Sequence, residues 1–513
     1  MATNPNQTRQ LKNVLHIALK VQEMPQNACR IAFPPPDFHS VYLPKFFRRM
    51  SLIKSISGIR GTIGGAPADN LTPLDVVKFT AAYGTILQQQ HVGEGNCTVV
   101  IGRDGRISGE MVKQLVVATL TGLGIDVWDL DYSTTPTVEM AVSFKQANGG
   151  IILTASHNPK EWNALKLLNS TGEFISAEVG QQVLDLAASE SFSFASVDQL
   201  GQVFTYPESL NDHIQAILNY PLVDVACIKK AKFKIVLDAI NSTGAIAVPA
   251  LLKAIGVKDV TVINAEVNGR FAHNPEPLPE HLTELCREVL RLEAHLGIAV
   301  DPDVDRLCFV CEDGTLFGEE YTLVAVADYV LSQRKGNTVS NMSSTRALKD
   351  VTEQHGGSYF ASAVGEVNVV KKMKEVNAVI GGEGNGGIIV PDLHYGRDAL
   401  IGIALFLTHL ARSKKSVRQM RNSYPGYFMS KNKITLEPGL SVSAIFDQIK
   451  AKYKNQPIHT EDGLKIEFDT DWVHLRTSNT EPIIRIYAES SLETTADNIA
   501  RKLMQDIREA AQA

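Results

Sequence analysis

"IILTASHNPKEWNALKLL", Ile151 to Leu168, joins an apolar run to the polar knot Thr154-Ala155-Ser156-His157-Asn158-Pro159 and then to a second apolar run that carries Lys166. Aliphatic stretches on either side of a proline-bearing turn predict strand, loop, strand. A Ser-His pair suggests acyl transfer, but neighbours in sequence rarely form the required hydrogen bond, and G-x-S-x-G is missing. Ser156 as the carrier of a phosphoryl group is a different use of the same hydroxyl, with Lys166 available to stabilise charge or relay a proton. A plain polar turn with a solvated lysine fits the stretch at least as well, so the loop alone decides nothing.

The same grammar recurs outward from it. "CTVVIGRDGR" reads as strand and turn, "SGEMVKQLVVATLTGLG" as a helix ended by glycine, and "IDVWDLD" as the next strand. "FKIVLDAINSTGAIAVPALLKAIGV" and "EVNAVIGGEGNGGIIV" repeat the alternation, the second followed by a helix from about Asp398 to Ser413. Strands alternating with helical patterns predict an α/β protein with a loosely repeated unit. The last ninety or so residues differ. "KIEFDTDWVHLRTSNTEPIIRIYAES" reads as a hairpin-like strand pair before an amphipathic helix near Thr494–Ala510, a small α+β closing domain.

The 513 residues suffice for three or four domains, and 44% hydrophobic with 21% charged residues is an ordinary globular balance. A net charge of −6 gives no reason to expect a nucleic-acid or membrane partner. No apolar run approaches the roughly 18–20 residues that cross a bilayer, and the expectation is a cytoplasmic protein. Six cysteines are too sparse for a disulfide scaffold, and Cys308 and Cys311 in "LCFVCEDG" read as small apolar residues of a strand rather than a zinc or redox pair. Residues 1–49 are polar, then proline-rich, then basic, without a signal-peptide core, while globular texture begins at Met50. They are expected to be a disordered extension, with a targeting segment or a partner-binding arm as the competing readings.

Three further loops hold unusual polar residues. In "GIAVDPDVDRLCFV", Asp301, Asp303 and Asp305 follow an apolar strand, and in an extended segment alternate residues share one side. Three converging carboxylates need a cation, and hard oxygen ligands suit Mg²⁺. An EF-hand reading fails because Arg306 stands where the loop needs glycine and "LCFV" continues as a strand. "RTSNTEPIIR" offers Arg476, Ser478, Asn479 and Thr480 as a phosphate cradle, although alone it also reads as a simple turn. "GGEGNGG" satisfies G-x-G-x-x-G, but a dinucleotide fingerprint must open a helix, and "IIVPD" is a strand stopped by proline. It reads instead as a loop presenting Glu383 and Asn385 to a polyhydroxylated ligand.

The four loops in this order resemble the α-D-phosphohexomutase superfamily, from about Met50 to the end of the chain. The resemblance implies four domains around a central cleft, three α/β and a fourth of different fold. Their expected bounds are 50–201, 202–314, 315–425 and 426–513. It implies a catalytic phosphate on Ser156, His157 supporting its loop, and Mg²⁺ on Asp301, Asp303, Asp305 and the phosphoserine oxygen. Arg306 follows the aspartates as in the family. Arg60 in "SGIRG" and Lys166 match cations that assist proton transfer, and "IGRDGR" is family-like without an assigned role. Glu383 and Asn385 match the sugar loop; Arg476, Ser478, Asn479 and Thr480 match the distal phosphate loop.

Two departures stand out: Asn385 and Gly387 replace a serine and a histidine in the sugar loop, and "AVGEVNVV" carries Glu366 where a Gly-His is common. This pattern looks like a phosphoglucosamine mutase subgroup, with Glu366 expected near a substrate amine. The implied reaction interconverts glucosamine 6-phosphate and glucosamine 1-phosphate, with a hexose 1,6-bisphosphate as intermediate and activator. Phosphoglucomutase/phosphomannomutase activity is the alternative, and a non-catalytic sugar-phosphate sensor the distant one. The partner is a small hexose phosphate.

Overall fold

The computed structural model describes residues 51–55, 58–437, 440–477 and 483–512. The expected N-terminal extension, and Ser478, Asn479 and Thr480 of the expected phosphate cradle, lie outside these residues.

Three sheets repeat one wiring. In the first, Thr98–Arg103 is central, Asp126–Tyr132 pairs parallel on one side, Gly149–Leu153 parallel on the other, and Trp162–Leu168 returns antiparallel beside it. In the second, Lys234–Asp238, Asp259–Ile263, Leu296–Val300 and Leu307–Cys311 take the same places. Asn337–Asn341, Tyr359–Ser362, Ala378–Glu383 and Gly387–Ile389 do so in the third. The turn from third to fourth strand is therefore one topological position used three times. It holds the Ser156 knot, the aspartate loop and the Glu383–Gly387 loop respectively. It lies at the carboxyl ends of the strands, where connections leave the central pair in opposite directions, the usual place for a ligand in α/β sheets.

The first sheet has additions absent from the sequence reading. Ile53–Ser55 and Gly58–Thr62 extend one edge, and Val203–Thr205 the other. Their three to five residues are too short to leave a period-2 signature. The fourth sheet is wholly antiparallel, in the order Phe428–Thr435, Ile483–Ser490, Trp472–Thr477, Leu464–Glu467, Ile458–His459. The helix Glu493–Gln512 covers it through Leu503 and Ile507, and this part has its own core.

The second and third sheets share one continuous core. The helix Ala399–Ser413 is apolar on nearly every face and buried along most of its length, as an element packed on several sides must be. Its Phe406 stacks on Phe309 of the second sheet with ring centroids 3.8 Å apart. Cys308 and Cys311 sit buried on the same strand as Phe309, as free thiols that burial pushes above the ordinary range. Among the described residues no helix is long and apolar enough to cross a membrane.

Candidate active site

Ser156 occupies the left-handed backbone region at φ 47°, which turns its side chain out of the strand end. A buried chain of polar groups holds that conformation. Thr154 Oγ1 accepts from the Ser156 amide at 2.9 Å and donates to Asp104 Oδ2 at 2.7 Å. Arg106 pairs with Asp104 at 3.0 Å and donates to the carbonyls of Ser156, Asn158, Pro159 and Trp162 at 2.5, 2.7, 2.7 and 2.9 Å. One planar fork thus ties both arms of the turn. Arg106 was invisible as a functional residue in the sequence; the signal was a charged "RDGR" immediately after a buried strand. Arg103, in the same motif, is buried too but pairs with Asp131 at 2.8 Å and Glu110 at 3.2 Å instead of the Ser156 turn.

The Ser156 hydroxyl donates to Asp301 Oδ2 at 2.6 Å. Asp301 Oδ1 accepts the amides of Asp305 and Arg306, each at 3.1 Å, which wraps the loop around its own first carboxylate. The three aspartates are fully buried, and one carboxylate oxygen from each lies within 4.8 Å of the others. They do not converge along an extended segment, as the sequence reading expected. The strand ends at Val300, and Val304 adopts φ 61°, so a tight turn brings them together. Hydroxyls of Ser242 and Thr243 anchor that turn at the Pro302 carbonyl, 2.6 and 2.8 Å away. Asp303 Oδ2 accepts from Thr135 Oγ1 at 2.5 Å and from Lys166 Nζ at 2.7 Å. Asp303 Oδ1 and Asp305 Oδ1 are buried without a hydrogen-bond partner among the described residues. Two orphaned carboxylate oxygens in an all-oxygen donor set fit a hard divalent cation.

The charges around Ser156 are divided. Burial works against the charged form of Lys166, but Asp303 and Asp305 outweigh it and raise its pKa, so the ammonium keeps its proton. Burial, with the Arg306, Arg60 and Arg397 guanidiniums, holds His157 well below the ordinary histidine range, so its ring is neutral; Nδ1 is 3.4 Å from Ser156 Oγ. Burial pushes Asp301 well above the carboxylate range, with Asp305 and Asp303 adding to it. Asp305 is pushed up by burial too, yet Arg397, Lys166 and Arg306 more than offset this and hold it ionised.

The third turn is organised differently. Arg397 donates to Asp305 Oδ2 at 2.7 Å, to Glu366 Oε2 at 2.9 Å and to Glu383 Oε2 at 2.9 Å. Glu383 Oε1 also accepts from Asn341 and the Gly365 amide, and Asn385 Oδ1 caps the turn at the Gly387 amide. A Cβ on Gly387 would stand 2.4 Å from Arg397 Cδ, which explains why this chain has glycine there. Glu366, expected near a substrate amine, has one oxygen on the Arg397 side chain at 2.9 Å and the other on its backbone amide at 3.3 Å, so it is ion-paired with a cation of the protein itself. Arg397 was missed because its three partners come from distant parts of the chain.

The cleft is lined by His157, Arg306, Asn341, Glu383, Asn385, Glu319, Glu320 and, from the last domain, Lys431, Arg476, Arg485 and Tyr487. Arg306 pairs with Glu276 at 3.0 Å and Arg476 with Asp462 at 2.7 Å. Arg60 lies in the strand Gly58–Thr62, partly buried, where the neighbouring Arg306 and Arg397 charges add to burial in lowering its pKa. Arg306, Lys431, Arg476 and Arg485 put guanidinium and ammonium donors on this lining, the groups that bind phosphate oxygens.

Family comparisons agree along the chain. The phosphoglucomutase/phosphomannomutase alpha/beta/alpha domain I matches residues 52–194, domain II 211–314, domain III 318–427, and the C-terminal domain 437–506. A phosphoglucomutase/phosphomannomutase of Thermococcus kodakarensis is 36% identical over 440 residues, covering 85% of this chain and 95% of the relative. A phosphoglucosamine/phosphogalactosamine mutase of Sulfurisphaera tokodaii is 32% identical over 461 residues, covering 88% and 98%. The crystal structure of a phosphoglucomutase/phosphomannomutase family protein from Burkholderia thailandensis superposes with TM-score 0.78 at 25% identity, covering 90% of this chain and 97% of that one.

Proposed function

Because this chain belongs to the phosphoglucomutase/phosphomannomutase family, whose four domains it carries in order, we propose that it is the member that interconverts glucosamine 6-phosphate and glucosamine 1-phosphate. It is an enzyme of the intramolecular phosphotransferase kind, as its mutase relatives are. The observation that carries the reading is the Ser156 hydroxyl at 2.6 Å from Asp301, beside two orphaned oxygens of Asp303 and Asp305.

Asp301, Asp303 and Asp305 would hold Mg²⁺, which supplies charge to offset the phosphoryl oxygens. Ser156 carries the phosphoryl group. The sugar C1 oxygen attacks phosphorus, the bond from phosphorus to Ser156 Oγ breaks, and its electron pair stays on Oγ. Neutral His157, with Nδ1 3.4 Å from Ser156 Oγ, is placed to take the C1 hydroxyl proton and hand it to the serine oxygen as that bond breaks. Lys166, kept protonated, balances the charge that collects around Asp303 and Asp305. The resulting 1,6-bisphosphate turns over in the cleft, and Ser156 Oγ recovers a phosphoryl group from C6 by the reverse exchange. Arg476, with Ser478, Asn479 and Thr480, would grip the distal phosphate in both orientations, while Glu383 and Asn385 accept sugar hydroxyls. Arg60 and Arg306 add positive charge over the travelling group. Catalysis is then mainly positioning and electrostatics.

The phosphoglucosamine mutase reading is supported by the Sulfurisphaera relative, and glucose or mannose phosphates by the Thermococcus one. A coupled assay over glucosamine, glucose and mannose 1-phosphates, with Mg²⁺ and a trace of hexose 1,6-bisphosphate, separates them. The expected result is the highest kcat/KM with glucosamine phosphate; a preference for glucose or mannose phosphate would move the assignment.

A further inference from the structure

Behind the active site lies a second cluster of metal-ligating side chains that the reaction does not use. His213 comes from the helix Ser209–Asn219, and His394 and Asp398 from the segment leading into the helix Ala399–Ser413. Both histidines turn Nε2 to the same oxygen, Asp398 Oδ2, at 3.0 Å for His213 and 3.3 Å for His394. The three ligand atoms all lie within 4.8 Å of one another. Ligands held at about 2.0–2.2 Å around a tetrahedral cation stand roughly 3.3–3.6 Å apart, so only small adjustments would seat one.

The opposite ring nitrogens are also arranged as a metal site needs. His213 Nδ1 faces Thr137 Oγ1 at 3.0 Å, and His394 Nδ1 faces a carboxylate, Glu139 Oε2, at 3.3 Å. An imidazole that donates Nδ1–H to a carboxylate or hydroxyl presents a basic Nε2 lone pair to a cation. Glu139 is 1% exposed, and its 3.3 Å approach to His394 Nδ1 is an ion-pair contact rather than an aligned hydrogen bond, a small ring rotation away from one. The segment approaches so closely that a Cβ on Gly396 would stand 1.8 Å from Glu139 Oε2, so the glycine makes room for this carboxylate. His213 and Asp398 are fully buried.

We propose that His213, His394 and Asp398 bind a second divalent cation, of the zinc class, with Glu139 and Thr137 orienting the two imidazoles. The donor set separates it from the aspartate loop: two nitrogens and an oxygen suit a borderline transition metal, while three carboxylates suit a hard one. Its role is structural. It joins helices from the first two α/β units to the segment 394–398 of the third, which delivers Arg397, one residue before a ligand, to Asp305, Glu366 and Glu383.

The test is a Co²⁺ titration of the full chain, stripped of metal and then held in excess Mg²⁺ to fill the aspartate site. An intense visible d–d absorption saturating at one equivalent, displaced by Zn²⁺, is expected. It should persist in Asp303→Asn and vanish in His213→Gln and His394→Gln. Only a weak absorption or none in the unaltered protein, or an unchanged band in a folded His213→Gln or His394→Gln chain, overturns the site. If those variants do not fold, the unaltered protein decides alone: the band with a Zn²⁺-dependent rise in Tm supports the site, and its absence refutes it.

Discussion

Two buried arginines hold two turns that occupy the same place in the repeated wiring, and they do it by opposite means. Arg106 spends its fork on four backbone carbonyls around Ser156, so it fixes the path of a chain. Arg397 spends its fork on three carboxylates from the aspartate loop, the start of the helix Glu366–Glu375 and the sugar turn, so it balances charge. The first is a problem of shape: Ser156 sits at positive φ, which a non-glycine residue keeps only when its surroundings impose it. The second is a problem of repulsion between acids. A turn that must present one atom is held by its backbone, and a turn that must assemble charged side chains is held through them.

The sharpest break is Arg106→Met. It leaves Asp104 buried without its cation and takes a donor from each of four carbonyls, and should cost on the order of 3–5 kcal/mol in urea unfolding. Arg106→Lys should recover little, since a point charge cannot serve carbonyls on both arms of the turn. Arg397→Gln should cost less stability, roughly 2–3 kcal/mol at neutral pH, because the three acids it leaves can take up protons. Its penalty should shrink towards pH 5 by more than that of Arg106→Met, which leaves one acid, Asp104, to take up a proton but whose lost carbonyl donors no proton replaces. Its kcat should fall about 100-fold, as for loss of a preorganised charged group. Equal pH dependence of the two variants would erase the distinction between shape and charge.

Gly387→Ala tests the same arginine from the other side. Its Cβ would meet Arg397 Cδ at 2.4 Å, and overpacking of this kind costs about 1–3 kcal/mol. Combined with Arg397→Ala the penalty should largely disappear, and an additive double mutant would show that the clash is not the cause.

The smallest effect concerns Glu320, which lines the cleft at the edge of the sugar turn. Burial raises its pKa from 4.5 to about 8 in spite of Lys431 nearby. The folded chain therefore keeps a proton that the unfolded chain releases between those values, and stability falls as pH rises through that window. Glu320→Gln should remove this slope: unchanged at about pH 4.5 and more stable than the parent above pH 8 by roughly 1–2 kcal/mol, a discounted share of about 1.4 kcal/mol per unit of pKa. Parallel stability–pH curves for parent and variant would contradict it.

What the sequence disclosed follows the same division. The α/β alternation, the antiparallel last domain, Ser156 and the three aspartates were legible because each loop puts rare polar residues against long apolar strands. The strand continuation after "GGEGNGG" was also readable, and Gly387–Ile389 is a strand. Groups whose meaning lies in distant partners were not. Arg106, Thr135, Arg397 and Lys431 look like ordinary polar residues until the chain folds. The Glu366 ion pair was not legible because its cation, Arg397, is 31 positions away. The aspartates were expected along an extended segment because nothing local marks Val304, a β-branched residue, as a left-handed turn position.

The central claim is that Ser156 Oγ is where the travelling phosphoryl group rests. Intact-mass measurement of the chain after exposure to hexose 1,6-bisphosphate and Mg²⁺, followed by peptide mapping, tests it directly. The account predicts one phosphoryl group per chain, located on Ser156 and absent from a Ser156→Ala chain that no longer turns over. A label on another residue, or full turnover by Ser156→Ala, would contradict it.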